Sequence, residues 1–401
     1  MEAKYLICTE ADANHNKYYK MIPDQNGISF TVEYGRIGAK PMKRSYPASR
    51  FHVLYNEKLQ KGYVDQTALH ENVSDAVKGK FKKIEDSSVD WLINTLMAYA
   101  NKVIDQNYTV KIEEVTPEMV NTASELLDDL AKRGSVISTS EFNQELMKLF
   151  QVIPRKMKNV EDHLAASSLD YEEILEREYD ILDVMHSQVT STGKLNLKHT
   201  ENKNEKTILD VLGLTIRPCT PEENKKICEK LTDESKGKFA RAWYISNKKT
   251  DDRYNLYCQK HRIGKRDTHF LYHGSKNMNY YGIMTEGLKL NPNAPITGKM
   301  FGHGLYFATR AKKSIGYTSL HGAYWTNGCD STAFLLVYKV AYKKPFDVYT
   351  HESRFSEFHE KDIARIGKDA LFAHKGKMLI NDEVIIYRED QCTLRYIIEL
   401  H

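Results

Sequence analysis

The chain has 401 residues, of which 41% are hydrophobic and 28% are charged, and its formal net charge is +4. This length is too great for one ordinary core and predicts two or three domains of a soluble globular protein. The longest apolar runs fall short of the about eighteen residues that a membrane span needs, and the N-terminal segment lacks the features of a signal peptide, so we expect neither.

Strand-like segments alternate with turn residues over residues 1–84, which predicts a small antiparallel β domain. Residues 17–22 and 28–34 are two such segments, and a turn joins them. Between Arg36 and Lys61 nearly all ionisable residues are basic, so one face of the domain can neutralise phosphates. Aromatic residues interleave with these charges. They can stack on a nucleic-acid sugar or base, or they can form the core beneath a solvated face.

Apolar residues recur with helical spacing over residues 87–190, which predicts an all-α bundle of four helices. Thr116 and Pro117 begin the second helix, and Ser138 caps the third. No constellation of ligands appears inside this bundle, so the residues alone give it a structural role. The polar, aperiodic segment 190–206 predicts a linker.

The remaining part of the chain, residues 207–401, has the pattern of a β-rich domain. Residues 222–231 predict a helix, and residues 311–317 predict a short helix or turn. Residues 291–298 are too rich in Asn, Pro and Gly for either a helix or a strand. Strand-like segments occupy residues 241–245, 270–272, 304–308, 333–342, 383–387 and 394–400.

Two of these strands carry residues suited to a binding pocket. His273, Gly274 and Ser275 end one strand, and Tyr306 lies in another. Because a glycine lets backbone N–H and C=O groups approach a ligand directly, these residues predict a pocket for a planar ring with an amide group. Taken singly, each residue has a plainer structural explanation, such as a satisfied histidine or a core tyrosine.

Motifs for other ligands are not found in the sequence. No GxGxxG follows a strand to open a helix, and there is no P-loop. Neither a Rossmann site nor a P-loop site for a nucleoside triphosphate is therefore indicated. The six cysteines have neither CxxC nor zinc-finger spacing. We therefore expect no metal site, and reduced thiols in an intracellular protein.

These segments together resemble the poly(ADP-ribose) polymerases, which are diphtheria-toxin-like ADP-ribosyltransferases. The similarity rests on the HGS triplet at 273–275, the GLYFA strand at 304–308, the KSxxY run at 313–317 and NDEVIIY at 381–387. In the same chain order, residues 16–66 resemble a WGR domain, and residues 89–189 resemble the helical regulatory domain of DNA-dependent members of the family.

The resemblance covers nearly the whole chain and implies a multi-domain α+β protein. It implies a small antiparallel β WGR-like domain at residues 1–84 and an all-α helical domain at 87–190. A mixed, β-rich, diphtheria-toxin-like catalytic domain is implied at residues 207–401.

The same resemblance implies transfer of ADP-ribose from the substrate NAD⁺, without a metal. His273, Tyr306 and Glu383 match the H-Y-E set of polymer-forming members. Glu383 is implied to bind the 2′-hydroxyl of the nicotinamide ribose and to act as general base. His273 is implied to bind the adenosine ribose, and Tyr306 to flank the nicotinamide.

Further contacts with NAD⁺ are implied by the resemblance. Gly274 and Ser314 hold the carboxamide, and Tyr317 stacks on the nicotinamide ring. Lys313 and Met300 fall on the acceptor side. Lys289 lies near the adenosine diphosphate, where the family usually has the bidentate arginine. The full implied NAD⁺-binding set is His273, Gly274, Ser275, Lys289, Tyr306, Lys313, Ser314, Tyr317 and Glu383.

The family's Trp-Gly-Arg, which contacts a DNA end, falls on Tyr34, Gly35 and Arg36 of this chain. Tyr34 replaces the tryptophan with a smaller ring that can still stack. The implied DNA-binding set is Tyr34, Gly35, Arg36, Lys40, Lys43 and Arg44. The helical domain is implied to block the NAD⁺ pocket until DNA loosens it.

The sequence thus predicts a poly(ADP-ribosyl)transferase that DNA breaks activate and that modifies protein acceptors, including itself. A mono-ADP-ribosyltransferase acting on protein or nucleic acid, and a catalytically silent scaffold that binds DNA ends, are the alternatives. We expect a monomer in the absence of DNA and no association with membranes. We expect it in the nucleus of a eukaryote, or in the cytoplasm and nucleoid of a bacterium.

Overall fold

The structure, a computed structural model, describes residues 1–25, 27–70, 81–134, 136–197, 206–231, 233–290, 300–377 and 379–401. The described residues form two compact units. The first unit contains those of Met1–Val77 and Asn101–Thr192, and the second contains those of Lys78–Ala100, Gly193–Pro292 and Thr297–His401. The predicted loop at 291–298 lies outside the described residues, and the predicted domain boundaries stay a prediction. None of the described helices is long and apolar enough to cross a membrane.

A five-stranded antiparallel sheet opens the first unit. Its strands are β1 (Lys4–Glu10), β2 (His15–Pro23), β3 (Ser29–Arg36), β4 (Met42–Pro47) and β5 (Val64–Asp65). They pair in the order β4-β3-β2-β1-β5. Alternate residues such as Leu6, Met21 and Phe30 point to one face and are fully buried. The predicted antiparallel β domain is therefore confirmed.

Helix α1 (Phe51–Gln60) covers the buried face of this sheet, and a short helix α2 (Thr67–His70) follows β5. Phe51 and Leu54 are the buried residues of α1 and pack into the core with Phe30. The interleaved tyrosines of this part of the chain are partly buried against the same core. Their first role is therefore structural, as the plainer interpretation of the sequence had it.

Four longer helices follow the sheet: α3 (Ser87–Asn107), α4 (Pro117–Arg133), α5 (Thr139–Val152) and α6 (Tyr171–Leu197). Thr116 accepts a hydrogen bond from the backbone N–H of Met119, and Ser138 accepts one from that of Glu141. The helix starts predicted from these caps are therefore confirmed.

Helix α6 corrects one prediction. It continues to Leu197, through the first half of the segment predicted as a linker. Ser191 is buried there, and Lys194 pairs with Glu286, both of which belong to the second unit. Burial and an ion pair thus stabilise helical turns that the polar sequence does not favour.

Within the first unit, the sheet is hydrogen-bonded to the segment between α5 and α6. The side-chain amide of Asn16, which is fully buried, donates to the Arg155 carbonyl at 3.0 Å. The Arg36 guanidinium donates to the carbonyls of Met157 and Lys158 at 3.2 and 2.9 Å. The sheet and this segment therefore share a polar junction.

Arg155 also forms a buried ion pair inside the helices. Its Nη2 lies 3.2 Å from Oε1 of Glu178 on α6, and the two side chains are only 3% and 4% exposed. The guanidinium lies 4.9 Å from the ring centre of Tyr108 and 5.7 Å from that of Phe150. Because both charges are removed from water, loss of either side chain would leave the other as an unpaired buried charge, which is strongly destabilising.

The second unit is built on a nine-stranded sheet. Its strands are β6 (Leu214–Pro218), β7 (Phe239–Asn247), β8 (Thr268–His273), β9 (Leu305–Ala308), β10 (Ala333–Ala341), β11 (Pro345–Val348), β12 (Ala370–Ala373), β13 (Glu383–Ile386) and β14 (Cys392–Leu400). Their order is β11-β12-β13-β9-β8-β10-β14-β7-β6. β11 and β12 are parallel and the other paired strands are antiparallel, which confirms the predicted mixed, β-rich architecture.

Helices lie along this sheet and at its edges. They are α7 (Ile208–Leu212), α8 (Pro221–Lys230), α9 (Asp233–Lys236), α10 (Lys248–His261), α11 (Tyr280–Glu286), α12 (Ala311–Ile315) and α13 (Glu360–Arg365). The central strand β10 is buried along nearly its whole length, as expected for a strand covered on both faces.

The first half of α3 packs in this second unit. Trp91 stacks on Trp243 of β7 with ring centres 6.1 Å apart, and the Arg241 guanidinium lies 4.0 Å from the Trp91 ring centre. The Trp243 indole N–H donates to the Ser88 hydroxyl at 3.1 Å. Large aromatic area and a satisfied indole N–H fix this end of α3.

Candidate active site

The pairing of three neighbouring strands brings distant parts of the sequence together. In the register of the sheet, Glu383 at the start of β13 lies opposite Ala308 of β9. Ala308 in turn lies opposite Tyr272 of β8. The side chain that follows in β8 is His273. Glu383, Ala308 and Tyr272 therefore lie side by side across the three strands, and His273 is the last residue of β8.

His273 is held by a backbone carbonyl. Its Nδ1 lies 2.9 Å from the carbonyl oxygen of Tyr306. Because a carbonyl oxygen can only accept, Nδ1 carries the proton, and the neutral ring presents Nε2 as an acceptor. Burial lowers the pKa of His273 below its ordinary value, and the hydrogen bond to Tyr306 opposes this only in part. The imidazole is therefore neutral at pH 7.

The Tyr306 hydroxyl forms two hydrogen bonds with the backbone. The hydroxyl accepts from the Phe301 N–H at 3.0 Å and donates to the Gly302 carbonyl at 2.9 Å. Burial raises the pKa of Tyr306 well above its ordinary value, and the charge of Glu383 adds to the effect. Tyr306 is thus a neutral, immobile ring beside Glu383.

Glu383 forms an ion pair with Lys313 of α12. The two side chains are 11% and 14% exposed, respectively. A carboxylate this far from water needs a partner, and Lys313 compensates its charge. A buried carboxylate beside fixed aromatic rings can bind a sugar hydroxyl and stabilise positive charge that develops on a sugar carbon.

Gly274, directly after β8, allows the chain to touch the backbone of α12. A Cβ atom added at Gly274 would lie 1.8 Å from the carbonyl oxygen of Ser314, so no side chain fits. The same carbonyl accepts from the Tyr317 N–H at 3.1 Å, and Ser314 itself is buried. This close approach places the Gly274 backbone directly against the Ser314 backbone.

We expect Gly274→Ala to damage the site, because the methyl group must push the Ser314 backbone away. A shift of about 1 Å costs on the order of 10²-fold in catalysis, and overpacking costs about 1–3 kcal/mol of stability. Steady-state kinetics with NAD⁺ and thermal unfolding measure the two effects. Gly237→Ala is the matched control, since an added Cβ there meets no atom of the described residues within 4 Å. Wild-type kinetics in Gly274→Ala would contradict this account.

Tyr317 completes the aromatic part of the site. Burial and the nearby charge of Glu383 raise the pKa of Tyr317 to about 12. Its ring is stacked with that of Trp325, with centres 5.9 Å apart and planes 16° apart. The sequence analysis missed Trp325. The available signal was a pair of adjacent aromatic residues, Tyr324 and Trp325, inside an otherwise polar loop.

Two predicted NAD⁺-binding residues lie in other settings. The Ser275 hydroxyl accepts from the Asn279 side-chain amide at 3.0 Å, and its backbone N–H donates to the Tyr280 hydroxyl at 3.1 Å. Lys289 is exposed and lies shortly before residues 291–299, which the structure does not describe. Their contacts with NAD⁺ stay a prediction.

The predicted DNA-binding residues lie on β3, β4 and the hairpin between them. Lys40, Lys43 and Arg44 are exposed, and Lys43 pairs with Glu33. Arg36 is different, because its guanidinium is engaged with protein carbonyls.

Tyr34 and Gly35, the other two residues that match the family's Trp-Gly-Arg, directly precede Arg36 in β3. The Tyr34 ring is only partly exposed and lies 5.8 Å from that of Tyr19. Gly35 pairs with Tyr18 across β2 and β3. The exposed basic side chains are therefore better placed for phosphate than Arg36, and DNA contact by the whole set stays a prediction.

One cluster of possible metal ligands lies on the β1–β2 hairpin of the first unit. The donor atoms of Cys8, Glu10 and His15 lie within 4.8 Å of one another. Nδ1 of His15 is 3.0 Å from a carboxylate oxygen of Glu10, which accounts for two of the three as an ordinary ion pair. Cys8 is buried, and burial raises its pKa, which disfavours the thiolate that a metal binds. The cluster carries no argument for a metal.

Comparison with known proteins gives two family matches. The poly(ADP-ribose) polymerase catalytic domain matches residues 222–401, and the WGR domain matches residues 2–69. Residues 70–221 lie between these two matches, so a helical regulatory domain stays a proposal.

Similar proteins come from a virus and from animals and plants. "Uncharacterized protein 101L" of Invertebrate iridescent virus 6 is 32% identical over 198 residues, which are 49% of this chain and 82% of the viral protein. "Putative poly [ADP-ribose] polymerase-like 100L" of the same virus is 28% identical over 38% of this chain and 80% of its own. Poly [ADP-ribose] polymerase 1 of Xenopus laevis is 24% identical over 65% of this chain but only 26% of its own length.

Proposed function

Because this chain belongs to the poly(ADP-ribose) polymerase family and is an NAD⁺ ADP-ribosyltransferase, we propose that it forms poly(ADP-ribose) in response to broken DNA. Its acceptors are proteins, including itself. The observation that carries the proposal is the grouping of the buried Glu383–Lys313 pair with Tyr306, Tyr317 and the Gly274 backbone.

The nicotinamide end of NAD⁺ fits the pocket wall formed by Gly274 and Ser314. The Gly274 backbone binds the carboxamide, and the Ser314 hydroxyl adds a hydrogen bond. Tyr317 stacks on the pyridinium ring, whose positive charge favours an aromatic face. The neutral Nε2 of His273 accepts from a hydroxyl of the adenosine ribose, which fixes the dinucleotide in one pose.

The transfer step then breaks the bond between C1′ of the ribose and the nicotinamide nitrogen. Nicotinamide leaves with the electron pair of that bond, and positive charge develops on C1′. Glu383 binds the 2′-hydroxyl and stabilises this charge, and it takes the proton of the acceptor hydroxyl whose oxygen bonds to C1′. Lys313 orients the Glu383 carboxylate through their ion pair. The resemblance assigns Lys313 and Met300 to the acceptor side.

Polymer formation repeats this step on a hydroxyl of the ADP-ribose already transferred. The H-Y-E set of His273, Tyr306 and Glu383, which the family associates with elongation, favours this outcome over a single transfer. The second candidate is mono-ADP-ribosyl transfer, if the acceptor side does not admit a growing chain.

Activation by DNA rests on the WGR match and on the exposed basic residues Lys40, Lys43 and Arg44. The hydrogen bonds from Asn16 and Arg36 to the segment before α6 offer a route by which DNA binding changes the helices. The helices in turn restrain access to the NAD⁺ pocket until DNA binds. Such an enzyme works where the DNA is, in a nucleus or a nucleoid, and as a monomer before DNA binds.

The test is incubation of the full chain with labelled NAD⁺, with nicked or linear DNA, with intact circular DNA and without DNA. We expect a ladder of labelled protein that broken DNA intensifies, because the proposal couples DNA ends to elongation. A single labelled band of constant size would favour mono-ADP-ribosylation. Equal ladders in all three samples would contradict activation by DNA. A complete lack of label would contradict transfer itself.

A further inference from the structure

The loop between α12 and β10 returns to the candidate site and is closed by backbone hydrogen bonds. The His321 N–H donates to the Asp330 carbonyl at 2.8 Å, and the Asp330 N–H donates to the Ser319 carbonyl at 2.9 Å. Further out, the Gly322 N–H donates to the Gly328 carbonyl at 3.1 Å. The loop therefore has a defined conformation that backbone hydrogen bonds stabilise.

Two residues make this shape possible. A Cβ added at Gly328 would lie 2.2 Å from the Leu320 carbonyl oxygen, so the two sides of the loop approach as closely as backbone allows. Asn327 adopts a φ of 49°, the left-handed conformation that asparagine tolerates better than most residues. The hydroxyl of Thr326 adds a hydrogen bond to the Thr318 carbonyl.

This geometry brings the indole of Trp325 onto Tyr317. The rings are near-parallel, and the backbone N–H of Trp325 donates to the Gly316 carbonyl at 3.0 Å. A Cβ added at Gly316 would lie 3.1 Å from Cδ1 of the indole, so Gly316 leaves the room that the indole needs. Trp325 is nevertheless 61% exposed. The hydrogen bonds and close glycine contacts of the loop hold this large apolar ring at the surface, so its role is not core packing.

We propose that Trp325 is a positioning residue that holds the Tyr317 ring in place for the nicotinamide ring of NAD⁺. The inference rests on the proposed function of this site. The Trp325 ring lies parallel to that of Tyr317, and the proposal assigns the opposite face of Tyr317 to the planar ligand. A tyrosine that is already stacked loses less side-chain freedom when the ligand binds, and a second aromatic ring behind it strengthens the attraction for the pyridinium cation.

This role predicts an effect on binding rather than on the chemical step. Trp325 contacts Tyr317 and not the reacting bond, so its removal weakens NAD⁺ binding and leaves turnover at saturation nearly unchanged. Loss of one aromatic pair is expected to weaken NAD⁺ binding by about 3- to 10-fold. Tyr324 offers a matched control. It is 77% exposed, and its ring meets that of Trp325 edge-on, with ring centres 4.8 Å apart.

The experiment compares Trp325→Ala, Trp325→Leu, Trp325→Phe and Tyr324→Ala in the full chain with broken DNA present. KM for NAD⁺, kcat and the inhibition constant of nicotinamide are measured, with a melting temperature for each variant. We expect Trp325→Ala and Trp325→Leu to raise KM and the nicotinamide constant by about 3- to 10-fold, with kcat within about twofold. Trp325→Phe, which keeps a planar ring, and Tyr324→Ala should stay within about twofold of wild type in both constants.

Unchanged KM in Trp325→Leu, or a fall in kcat alone, would overturn the inference. Leucine fills the loop without a planar ring, so this variant decides the matter even if Trp325→Ala does not fold. Equal losses in Trp325→Phe and Trp325→Leu would also overturn it, since they would point to loop folding rather than to stacking. A wild-type chain that neither turns over NAD⁺ nor binds nicotinamide would overturn the proposed function itself, and this result needs no variant.

Discussion

Replacing Glu383 with glutamine is expected to reduce ADP-ribose transfer by roughly 10²- to 10⁴-fold while nicotinamide still binds. Glutamine keeps the size of the side chain and its capacity to accept a hydrogen bond. It cannot take a proton from the acceptor hydroxyl, and it carries no charge to stabilise the positive C1′. It also leaves Lys313 without its partner, which places a second positive charge close to the reacting carbon.

Two measurements separate the loss of chemistry from the loss of binding. Polymer length and rate are followed with labelled NAD⁺, and nicotinamide affinity is followed by calorimetry. Asp382→Asn is the control, since it removes a carboxylate one residue away whose oxygen accepts from the Lys375 N–H at 2.7 Å. Asparagine keeps that acceptor, so this variant should behave like wild type. If Glu383→Gln still makes polymer at the wild-type rate, the general base is another residue.

Replacing Glu178 with alanine is expected to cost about 3–5 kcal/mol of stability, the second large effect. The change leaves the Arg155 guanidinium buried without its carboxylate. Under the proposed regulation, looser helices also open the NAD⁺ pocket, so activity without DNA should rise while the melting temperature of the helices falls. Thermal unfolding, hydrogen exchange along α6 and labelling without DNA measure these three effects.

A paired replacement provides the control for this experiment. Arg155→Met with Glu178→Leu removes both charges and keeps the buried volume, so its loss of stability should be much smaller. A loss in the double variant as large as in Glu178→Ala would show that packing, and not the ion pair, holds the helices. Unchanged DNA-independent activity in a clearly destabilised Glu178→Ala would contradict the proposed regulation by the helices.

The sequence predicted best the elements that local signals specify. Thr116, Pro117 and Ser138 mark the starts of α4 and α5, because caps act within one turn. Helix α1 was missed, because only Phe51 and Leu54 of its residues are buried and its hydrophobic pattern is short. Helix α10 was missed for a similar reason, since lysine and aspartate dominate its exposed face.

The site was predicted through resemblance, but its internal contacts were not. Neither spacing nor composition says that Lys313 pairs with Glu383, because that pair depends on how α12 packs against the strand edge. The contact between Gly274 and Ser314 likewise joins two segments that only the folded sheet brings together. Such contacts follow from strand register and loop geometry, which are tertiary properties.

The junction made by Asn16 and Arg36 decides where the chain can be divided for work on fragments. A fragment that ends near residue 84 lacks the carbonyl acceptors of Arg155, Met157 and Lys158. The fully buried amide of Asn16 would then face solvent, at the edge of the surface proposed to read DNA. Affinities for DNA are therefore best compared on fragments that extend through Thr192, where the native surroundings of this edge are kept.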